Sequence, residues 1–477
     1  MSFHPDQAVM NQTMFLPVFS FLFLLIFPGC SPQEPSTQEE TAQNSAPFFG
    51  PEWAKNANIY EVNIRQYTPE GTFAAFEKHL PRLKAMGVEV LWFMPIYPIS
   101  EKKRKGSLGS YYAIANYRTV NPNFGSKAEF ISLVEKIHDM DMRVLLDWVP
   151  NHTGWDHPWI EQHPEWYTRD EEGNIVDPVN PETGLSEGWT DVADLDYDNP
   201  ALRQAMIEEM RHWLDTAGID GFRVDVAYKV PLDFWQTCIP RLRSLHPELF
   251  MLAEAEVPEL RNAGLFNMSY AWSFHHLMNN IAQGEAKVSD IDEWLARNRR
   301  LFKKGYNMQF ITNHDENSWN GTVKERLGAA AEAMAVLAFT FNGMPLLYSG
   351  QEAGLDKPLK FFEKDTIEWG NYEKVDFYET LLDLKKRNHA LWNGAAGGPA
   401  VKIKTDNDED IYAFYREKAG HKIIVVLNLS NEIQDVALRS DACVGEYTNV
   451  FVNSTITVTP NMTLNLNPWD FVVWSNK

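Results

Sequence analysis

The sequence predicts a (β/α)8 barrel of parallel strands, followed by a small antiparallel β domain. From about Trp53 to Trp392, short apolar runs typical of buried strands alternate with amphipathic helical segments. Strands separated by helices indicate parallel pairing through crossovers, and about eight such units favour a closed barrel over an open sheet. After Trp392 the pattern changes to short alternating runs, such as residues 422–428, that indicate antiparallel strands. The length of 477 residues suits a barrel with an accessory domain.

Seven strands of the barrel can be assigned from their apolar character and their bounding turn residues. They are Ile59–Ile64, Val88–Met94, Arg143–Asp147, Gly221–Val224, Leu249–Ala253, Met308–Thr312 and Pro345–Tyr348. Helical periodicity predicts helices at Phe73–Met86, Lys127–Met140, Ala201–Ala217 and Leu232–Leu245. We therefore expect a barrel over residues 51–394 and a β-sandwich domain over residues 395–477.

A large loop is predicted after the third strand, over residues 151–195. This stretch has no repeating pattern and is rich in Trp, His, Pro, Glu and Gly. Its tryptophans are candidates for stacking on a ligand, and they are Trp155, Trp159, Trp166 and Trp189.

Residues 1–30 carry the features of a signal peptide, which would export the protein. The apolar run Phe15–Phe27 is too short for a membrane span and is typical of a signal-peptide core. Gly29 and Cys30 follow it, in an arrangement that resembles a bacterial lipoprotein signal, although Phe27-Pro28 and the absence of Lys or Arg in the first fourteen residues depart from that pattern. We expect export to the cell envelope, in the periplasm or at the outer membrane, with Cys30 as a lipid anchor. An ordinary signal peptide is the alternative. Residues 31–50 are predicted to form a disordered tether.

Charge and cysteine content exclude some classes of function. The net charge of −22 disfavours nucleic-acid binding, because a phosphate polyanion would be repelled. The one dense basic run, Glu101–Lys105, is interpreted as a solvated loop. Three cysteines, Cys30, Cys238 and Cys443, do not make a disulfide framework. A membrane contact is expected only through the lipid anchor, and the sequence does not indicate an oligomeric state.

Polar residues concentrate where the predicted strands end. In barrel enzymes the reactive groups lie at the carboxyl ends of the strands. Asp147 closes the third strand, Arg223 and Asp225 close the fourth, and Glu254 follows the fifth. His314 and Asp315 follow the strand Met308–Thr312. So many ionisable groups at one face indicate a catalytic cluster, in which different environments separate acid and base roles.

Four segments around these residues resemble the signature segments of the α-amylase superfamily of glycoside hydrolases, in the same order. They are Asp147-Trp-Val-Pro-Asn-His152, Gly221-Phe-Arg-Val-Asp225, Leu252-Ala-Glu-Ala255 and Thr312-Asn-His-Asp315. Residues 87–96 and 343–352 resemble the second-strand and eighth-strand segments of that family. The resemblance covers about Trp53 to Lys477 and implies a TIM barrel that hydrolyses α-1,4-glucan or maltooligosaccharides with retention.

The resemblance also implies a role for each matched residue. Asp225 would form the covalent glycosyl-enzyme, Glu254 would act as general acid and base, and Asp315 would hold sugar hydroxyls. Substrate would also be bound or positioned by Tyr112, Asp147, His152, Arg223 and His314. Glu256 remains a competitor for the role of Glu254, since both residues lie on the same face of an extended chain.

This chemistry requires no cofactor, but a structural calcium ion is an open question. Asn151 and Asp194 match two positions of the family's calcium site, whereas Lys229 stands where many members carry a histidine whose carbonyl binds the ion. Asn151 could equally serve as a hydrogen-bonding anchor of the loop.

Three alternatives to hydrolysis of α-1,4 links stay open. A glucanotransferase or an α-1,6-glucosidase of the same superfamily would share the same acids. A non-catalytic sugar-binding relative would have lost them, and the intact set of Asp225, Glu254 and Asp315 argues against that.

Overall fold

Eight parallel strands form a closed barrel in the computed structural model, which describes residues 47–180 and 183–477. The strands are β1 (Ile59–Val62), β2 (Val90–Phe93), β3 (Arg143–Trp148), β4 (Gly221–Val224), β5 (Phe250–Ala253), β6 (Met268–Tyr270), β7 (Tyr306–Gln309) and β8 (Met344–Tyr348). Each strand pairs with its neighbours in chain order, and β8 pairs with β1 to close the barrel. The predicted fold class is therefore confirmed.

Several predicted elements differ from the observed ones. Strand β6 was not predicted, because three residues are too few to show a periodic pattern. The first strand ends at Val62, and Ile64–Tyr67 forms one helical turn instead of extending it. The seventh strand ends at Gln309, before the predicted Thr312. The helix predicted over residues 73–86 is divided in two.

Helices lie between the barrel strands along the chain and after the last of them. The α-helices are Ile64–Tyr67, Phe73–Glu77, Leu80–Met86, Lys127–Asp139, Trp159–Gln162, Pro200–Ala217, Leu232–Leu245, Pro258–Asn262, Trp272–Gln283, Asp290–Leu301, Val323–Leu327, Ala331–Thr340 and Val375–Arg387. Side-chain N-caps define where several of these helices begin. Ser126 and Glu129 form a capping box, and the Asn199 side chain caps the helix that begins at Pro200. Within the described residues, no helix is long and apolar enough to cross a membrane.

Alternation along the strands divides the core into two layers. In β1 and β2, Ile59, Val90 and Trp92 point into the barrel, while Tyr60 and Leu91 pack outward against the helices. This is the period of two that strand geometry imposes. At the start of β4, a Cβ on Gly221 would lie 1.9 Å from the carbonyl oxygen of Phe250, so only glycine fits there.

The predicted loop after β3 is a small subdomain built on two antiparallel strands, His152–Gly154 and Val192–Asp194. Its tryptophans mostly serve as its core. Trp159 and Trp166 are buried edge to face, with ring centroids 5.0 Å apart. Trp155 is also buried, with its ring under the Lys103 ammonium.

The C-terminal region contains a six-stranded antiparallel sheet and a two-stranded sheet. The larger sheet has the order Val401–Lys402, Ile411–Lys418, His421–Asn428, Phe471–Ser475, Gly445–Asn449 and Ser454–Val458. The smaller one joins Gln434–Ala437 to Thr463–Leu466. Val436 and Leu466 of the smaller sheet share an apolar cluster with residues of the larger sheet. Arg416 joins this region to the barrel by donating hydrogen bonds to the carbonyls of Thr340 and Phe341.

The folded part begins earlier than predicted. Phe48 stacks on Tyr306 with ring centroids 5.8 Å apart, and the Phe49 ring lies 5.5 Å from the Arg243 guanidinium. Because these two aromatic rings pack against the barrel, residues 48 and 49 belong to the folded part and not to the predicted tether. The predictions for residues 1–46, including the signal segment and Cys30, lie outside the described residues.

Candidate active site

Alternation along the barrel strands turns a set of charged side chains inward at the carboxyl ends. Glu61 of β1, Asp147 of β3 and Arg223 of β4 occupy inward positions and are fully buried. The register pairs Asp147 directly with Arg223. A buried charge is costly unless it is paired, so these residues must satisfy one another.

Arg223 contacts three carboxylates. Its Nη1 lies 2.9 Å from Asp147 Oδ1 and 3.1 Å from Asp225 Oδ1, and its Nη2 lies 2.9 Å from Glu254 Oε2. Its Nε donates to the hydroxyl of Tyr270 at 3.1 Å. One planar guanidinium therefore brings together the acids that end β3, β4 and β5.

Glu254 and Glu256, the two candidates for the general acid and base, have different contacts. Besides the ion pair with Arg223, the Glu254 carboxylate accepts a hydrogen bond from the Val226 N–H at 2.8 Å. Glu256 instead accepts from the backbone N–H and hydroxyl of Ser273, at 2.8 and 2.5 Å. The structure thus brings Glu254, and not Glu256, into contact with Arg223 beside Asp225.

Val226 adopts an unusual backbone conformation, with φ 37° and ψ 46°. A β-branched residue rarely takes this left-handed conformation, which costs of order 1–3 kcal/mol. The turn directs the Val226 N–H to Glu254, so the local strain coincides with the placement of that carboxylate.

A second chain of contacts links His314 and Asp315 to this cluster. The Tyr112 hydroxyl lies 3.2 Å from Asp147 Oδ2 and 2.8 Å from His314 Nε2. His314 Nε2 lies 3.3 Å from Asp315 Oδ2, and His314 Nδ1 lies 2.5 Å from Glu61 Oε1. All the predicted residues from β3, β4, β5 and the end of β7 are therefore connected.

Burial and charge shift the pKa values of this cluster in opposite directions. Burial lowers the pKa of His314, but the carboxylates of Asp315 and Glu61 outweigh it and raise the pKa to about 9. Burial raises the pKa of Asp147 to about 6 against the opposing effect of Arg223. For Asp225, burial and the neighbouring Glu254 carboxylate raise the pKa, which Arg223 opposes.

Exposure shows which acids can meet a ligand. The side chains of Asp225 and Glu254 are 10% and 12% exposed, and that of Asp315 is 35% exposed, while Asp147 and Glu61 are closed off. Asp225, Glu254 and Asp315 thus line the cleft. The buried Arg223 contacts Asp225 and Glu254, and the buried His314 contacts Asp315.

His152 lies beside Tyr112, and its imidazole forms a hydrogen bond with the Tyr112 backbone. Burial, with the charge of Lys229 in addition, lowers the pKa of His152 to about 3. Its imidazole is therefore neutral at physiological pH and can donate or accept a hydrogen bond at the cleft.

The two residues predicted to bind calcium lie together, and their polar atoms are paired with protein groups. Asn151 Nδ2 faces Asp194 Oδ1 at 3.4 Å, and the Thr168 hydroxyl donates to Asp194 Oδ2 at 2.8 Å. Lys229 places a positive charge near Asp194 and forms an almost buried ion pair with Glu187. Calcium takes 6–8 oxygen ligands. No group of three or more His, Cys, Asp or Glu side chains suited to a metal occurs in the described part of the chain.

Sequence reasoning did not single out three residues of the site. Glu61 pairs with His314, Trp92 donates its indole N–H to Asp147 Oδ2 at 3.2 Å, and Tyr270 accepts from Arg223. A lone acidic residue inside the apolar strand β1 was the available signal for Glu61, since charged residues are rare in barrel cores. Tyr270 could not be found, because its strand had not been predicted.

The closed barrel with bridged carboxylates at the carboxyl ends of its strands defines a barrel enzyme whose chemistry rests on paired acids. Residues 41–413 match the family described as "Alpha amylase, catalytic domain". The chain belongs to the α-amylase family.

Similar proteins agree with this assignment. "Alpha-amylase MalA" of Haloarcula japonica is 26% identical over 436 residues, which cover 87% of this chain and 62% of that protein. The "Alpha-1,4-glucan:maltose-1-phosphate maltosyltransferase" of Mycobacterium tuberculosis is 31% identical over 222 residues, covering 43% of this chain and 31% of that protein. The crystal structure of the noncanonic maltogenic α-amylase AmyB from Thermotoga neapolitana matches with a TM-score of 0.79 and 29% identity, covering 89% of this chain and 99% of that one. The chain thus spans less than two thirds of the length of the first two relatives.

Proposed function

We propose that the protein hydrolyses α-1,4-linked glucans or maltooligosaccharides with retention of configuration. The observation that carries this proposal is the Arg223 guanidinium, which contacts Asp225 and Glu254 together at the mouth of the barrel. Sharing one guanidinium supports a short spacing between the two carboxyl groups. Retaining enzymes use about 5–5.5 Å, whereas inverting enzymes use about 6.5–9.5 Å.

Asp225 acts as the nucleophile in this scheme. Its carboxylate attacks the anomeric carbon, the glycosidic bond breaks, and a covalent glycosyl-enzyme forms. Arg223 stabilises the ionised form of Asp225 against the effects of burial and of the Glu254 carboxylate.

Glu254 first donates its proton to the departing oxygen and then removes a proton from water, which attacks the glycosyl-enzyme and releases Asp225. The Val226 N–H and Arg223 hold the Glu254 carboxylate in place through both steps. The protonated His314, together with Asp315, binds hydroxyls of the reacting sugar, and Tyr112 and His152 contact the same sugar.

Chemical rescue with azide tests the two roles separately. On an α-maltosyl fluoride donor, Asp225→Ala with azide should form the β-glycosyl azide, because azide replaces the nucleophile directly. Glu254→Ala with azide should form the α-glycosyl azide, because azide replaces water on the intermediate. Glu256→Gln is the matched control, and we expect it to hydrolyse maltoheptaose at a rate within about tenfold of the unaltered protein. Azide products from neither variant, with full activity retained in both, would refute the assignment.

Transfer to a sugar acceptor is the second candidate, because the same glycosyl-enzyme can react with water or with a hydroxyl. The likeness to a maltosyltransferase over 222 residues motivates it. Incubation with maltoheptaose, pullulan and panose distinguishes the cases. Products longer than maltoheptaose indicate transfer, while glucose from panose without attack on maltoheptaose indicates an α-1,6-glucosidase.

We also propose export and lipid anchoring at Cys30, on the sequence pattern alone. Metabolic labelling with an alkyne fatty acid in a bacterial host should mark the protein. Cell fractionation should find the labelled protein with the membranes. The variant Cys30→Ser should lose the label and leave that fraction. Labelling that persists in this variant would contradict the anchor.

A further inference from the structure

A short π-helix, Glu316–Asn320, follows Asp315 directly and carries an exposed tryptophan. Trp319 is 41% exposed, which is unusual for so large an apolar side chain beside an active site. π-Helices are rare and occur frequently at functional sites.

Trp319 is the outer end of a continuous aromatic surface. Its ring lies 5.3 Å from that of Phe361 and 5.8 Å from that of Phe362, between centroids. Phe361 in turn lies 6.2 Å from Tyr112 and nearly parallel to it, at 10°. The surface therefore runs from the Tyr112 ring in the active site outward to solvent.

Hydrogen bonds hold the two halves of this surface together. Asn317 of the π-helix donates to the Lys357 carbonyl at 3.1 Å and accepts from the Leu359 N–H at 2.8 Å. The buried Arg65 donates to the Phe361 carbonyl at 3.2 Å. Because both segments are anchored, the rings are ordered before any ligand arrives, which lowers the entropic cost of binding.

The second phenylalanine is held by the loop after β2. The Leu108 N–H donates to the Phe362 carbonyl at 3.0 Å. Gly106 leaves the room for this contact, since a Cβ there would lie 2.5 Å from Phe362 Cβ. The aromatic surface is therefore supported from both sides of the cleft.

We propose that Trp319, Phe361 and Phe362 form a sugar-stacking subsite that binds the glucan chain beyond the residue held at Tyr112. This inference rests on the proposed function. Aromatic faces match the apolar faces of sugar rings, and the three side chains carry no charge, so a neutral oligosaccharide fits them. Continuity with the Tyr112 ring favours a chain that extends from the reacting sugar. The subsite makes long substrates bind more tightly than short ones.

Binding to an inactive parent tests the subsite without catalysis. In the Asp225→Asn protein, calorimetric titration compares maltoheptaose with maltose. Adding Trp319→Ala should weaken maltoheptaose binding about tenfold and leave maltose binding unchanged. Trp319→Phe should restore most of the affinity. Trp392→Ala is the matched control, since Trp392 is partly exposed and lies beside Asn393, which contacts the chain before β1 at the opposite end of the barrel.

Each outcome decides between the proposals. Loss of maltoheptaose affinity in Trp319→Ala but not in Trp392→Ala supports the subsite. A parent that prefers maltoheptaose, combined with unchanged affinity in Trp319→Ala, overturns the subsite and leaves the proposed function standing. Equal loss for maltose and maltoheptaose also overturns it, because that pattern indicates general damage to the active site. A parent that binds neither sugar contradicts the proposed function and this inference with it.

Discussion

Replacing Arg223 with methionine should make the stability of the protein strongly dependent on pH. The substitution removes the guanidinium that contacts Asp147, Asp225 and Glu254 at 2.9–3.1 Å, in a position with no solvent exposure. Methionine approximates the length of the side chain without its charge, so the carboxylates are left facing one another.

The size of the effect follows from the burial of these groups. Removing one partner of a buried ion pair costs about 3–5 kcal/mol while the other partner stays charged. Asp147 has a pKa of about 6 even with Arg223 beside it, and the pKa of Asp225 is also raised. Without the guanidinium both pKa values must rise further.

The direction of the change in stability with pH depends on whether the pKa of each carboxyl group is higher in the folded or in the unfolded state. A carboxyl group whose folded-state pKa lies above its unfolded value favours the folded state at low pH, and this stability is lost as pH rises through the folded pKa. Each further tenfold fall in the acid dissociation constant of the folded state corresponds to about 1.4 kcal/mol. The stability difference between the unaltered protein and Arg223→Met should therefore be small at pH 5 and reach several kcal/mol at pH 8.

Thermal unfolding at pH 5, 6.5 and 8 measures this difference. Arg243→Met is the control, because Arg243 donates to the carbonyls of Gly264 and Leu265 and to the side-chain oxygen of Asn267, and to no carboxylate among the described residues. Its loss of stability should change little over this pH range. A pH-independent loss in Arg223→Met, or the same pH dependence in both variants, would refute the reasoning.

Three further predictions follow from the site. The pKa of His314 is about 9, above the unfolded value of about 6.5, so its ion pairs stabilise the fold fully below pH 6.5. This stability is lost as pH rises through 9, so denaturant unfolding should show the advantage over His314→Gln falling by roughly 3 kcal/mol between pH 6 and pH 10. Since Lys229 supplies a charge near Asp194, treatment with EDTA should leave the melting temperature unchanged, and a drop reversed by added calcium would contradict this. Val226→Gly relieves the left-handed strain and keeps the N–H that binds Glu254. Its unfolding free energy should therefore lie within about 1 kcal/mol of that of the unaltered protein, and it should still hydrolyse maltoheptaose. Unaltered stability with lost activity would show that the valine side chain itself matters.

Most of the barrel could be predicted because the relevant signals are local. Strands β1 to β5 are recognisable as apolar runs that end at Gly, Pro or polar residues. Strand β6 was missed because it has only three residues, and its place in the sheet depends on pairing with β5 and β7. The division of the helix at residues 73–86 was also missed, since Pro81 can begin a helix as well as interrupt one.

The candidate site was predicted unevenly for the same reason. Arg223 lies on β4 and Asp225 directly follows its last residue, so alternation alone places the two side chains on the same side. Glu254 and Glu256 have the same spacing, and alternation could not separate them. The contact with Arg223, on the neighbouring strand, distinguishes Glu254.

Periodicity and strand endings are properties of neighbouring residues, so the barrel, seven of its eight strands and the acids at their carboxyl ends could be predicted from the sequence. The three-dimensional structure was needed to show which glutamate contacts Arg223, that Glu61 pairs with His314, and that Lys229 approaches Asp194. It also placed Trp319 against Phe361. Each of these contacts joins residues from different strands or loops, and closure of the barrel is what brings them within a few ångströms of one another.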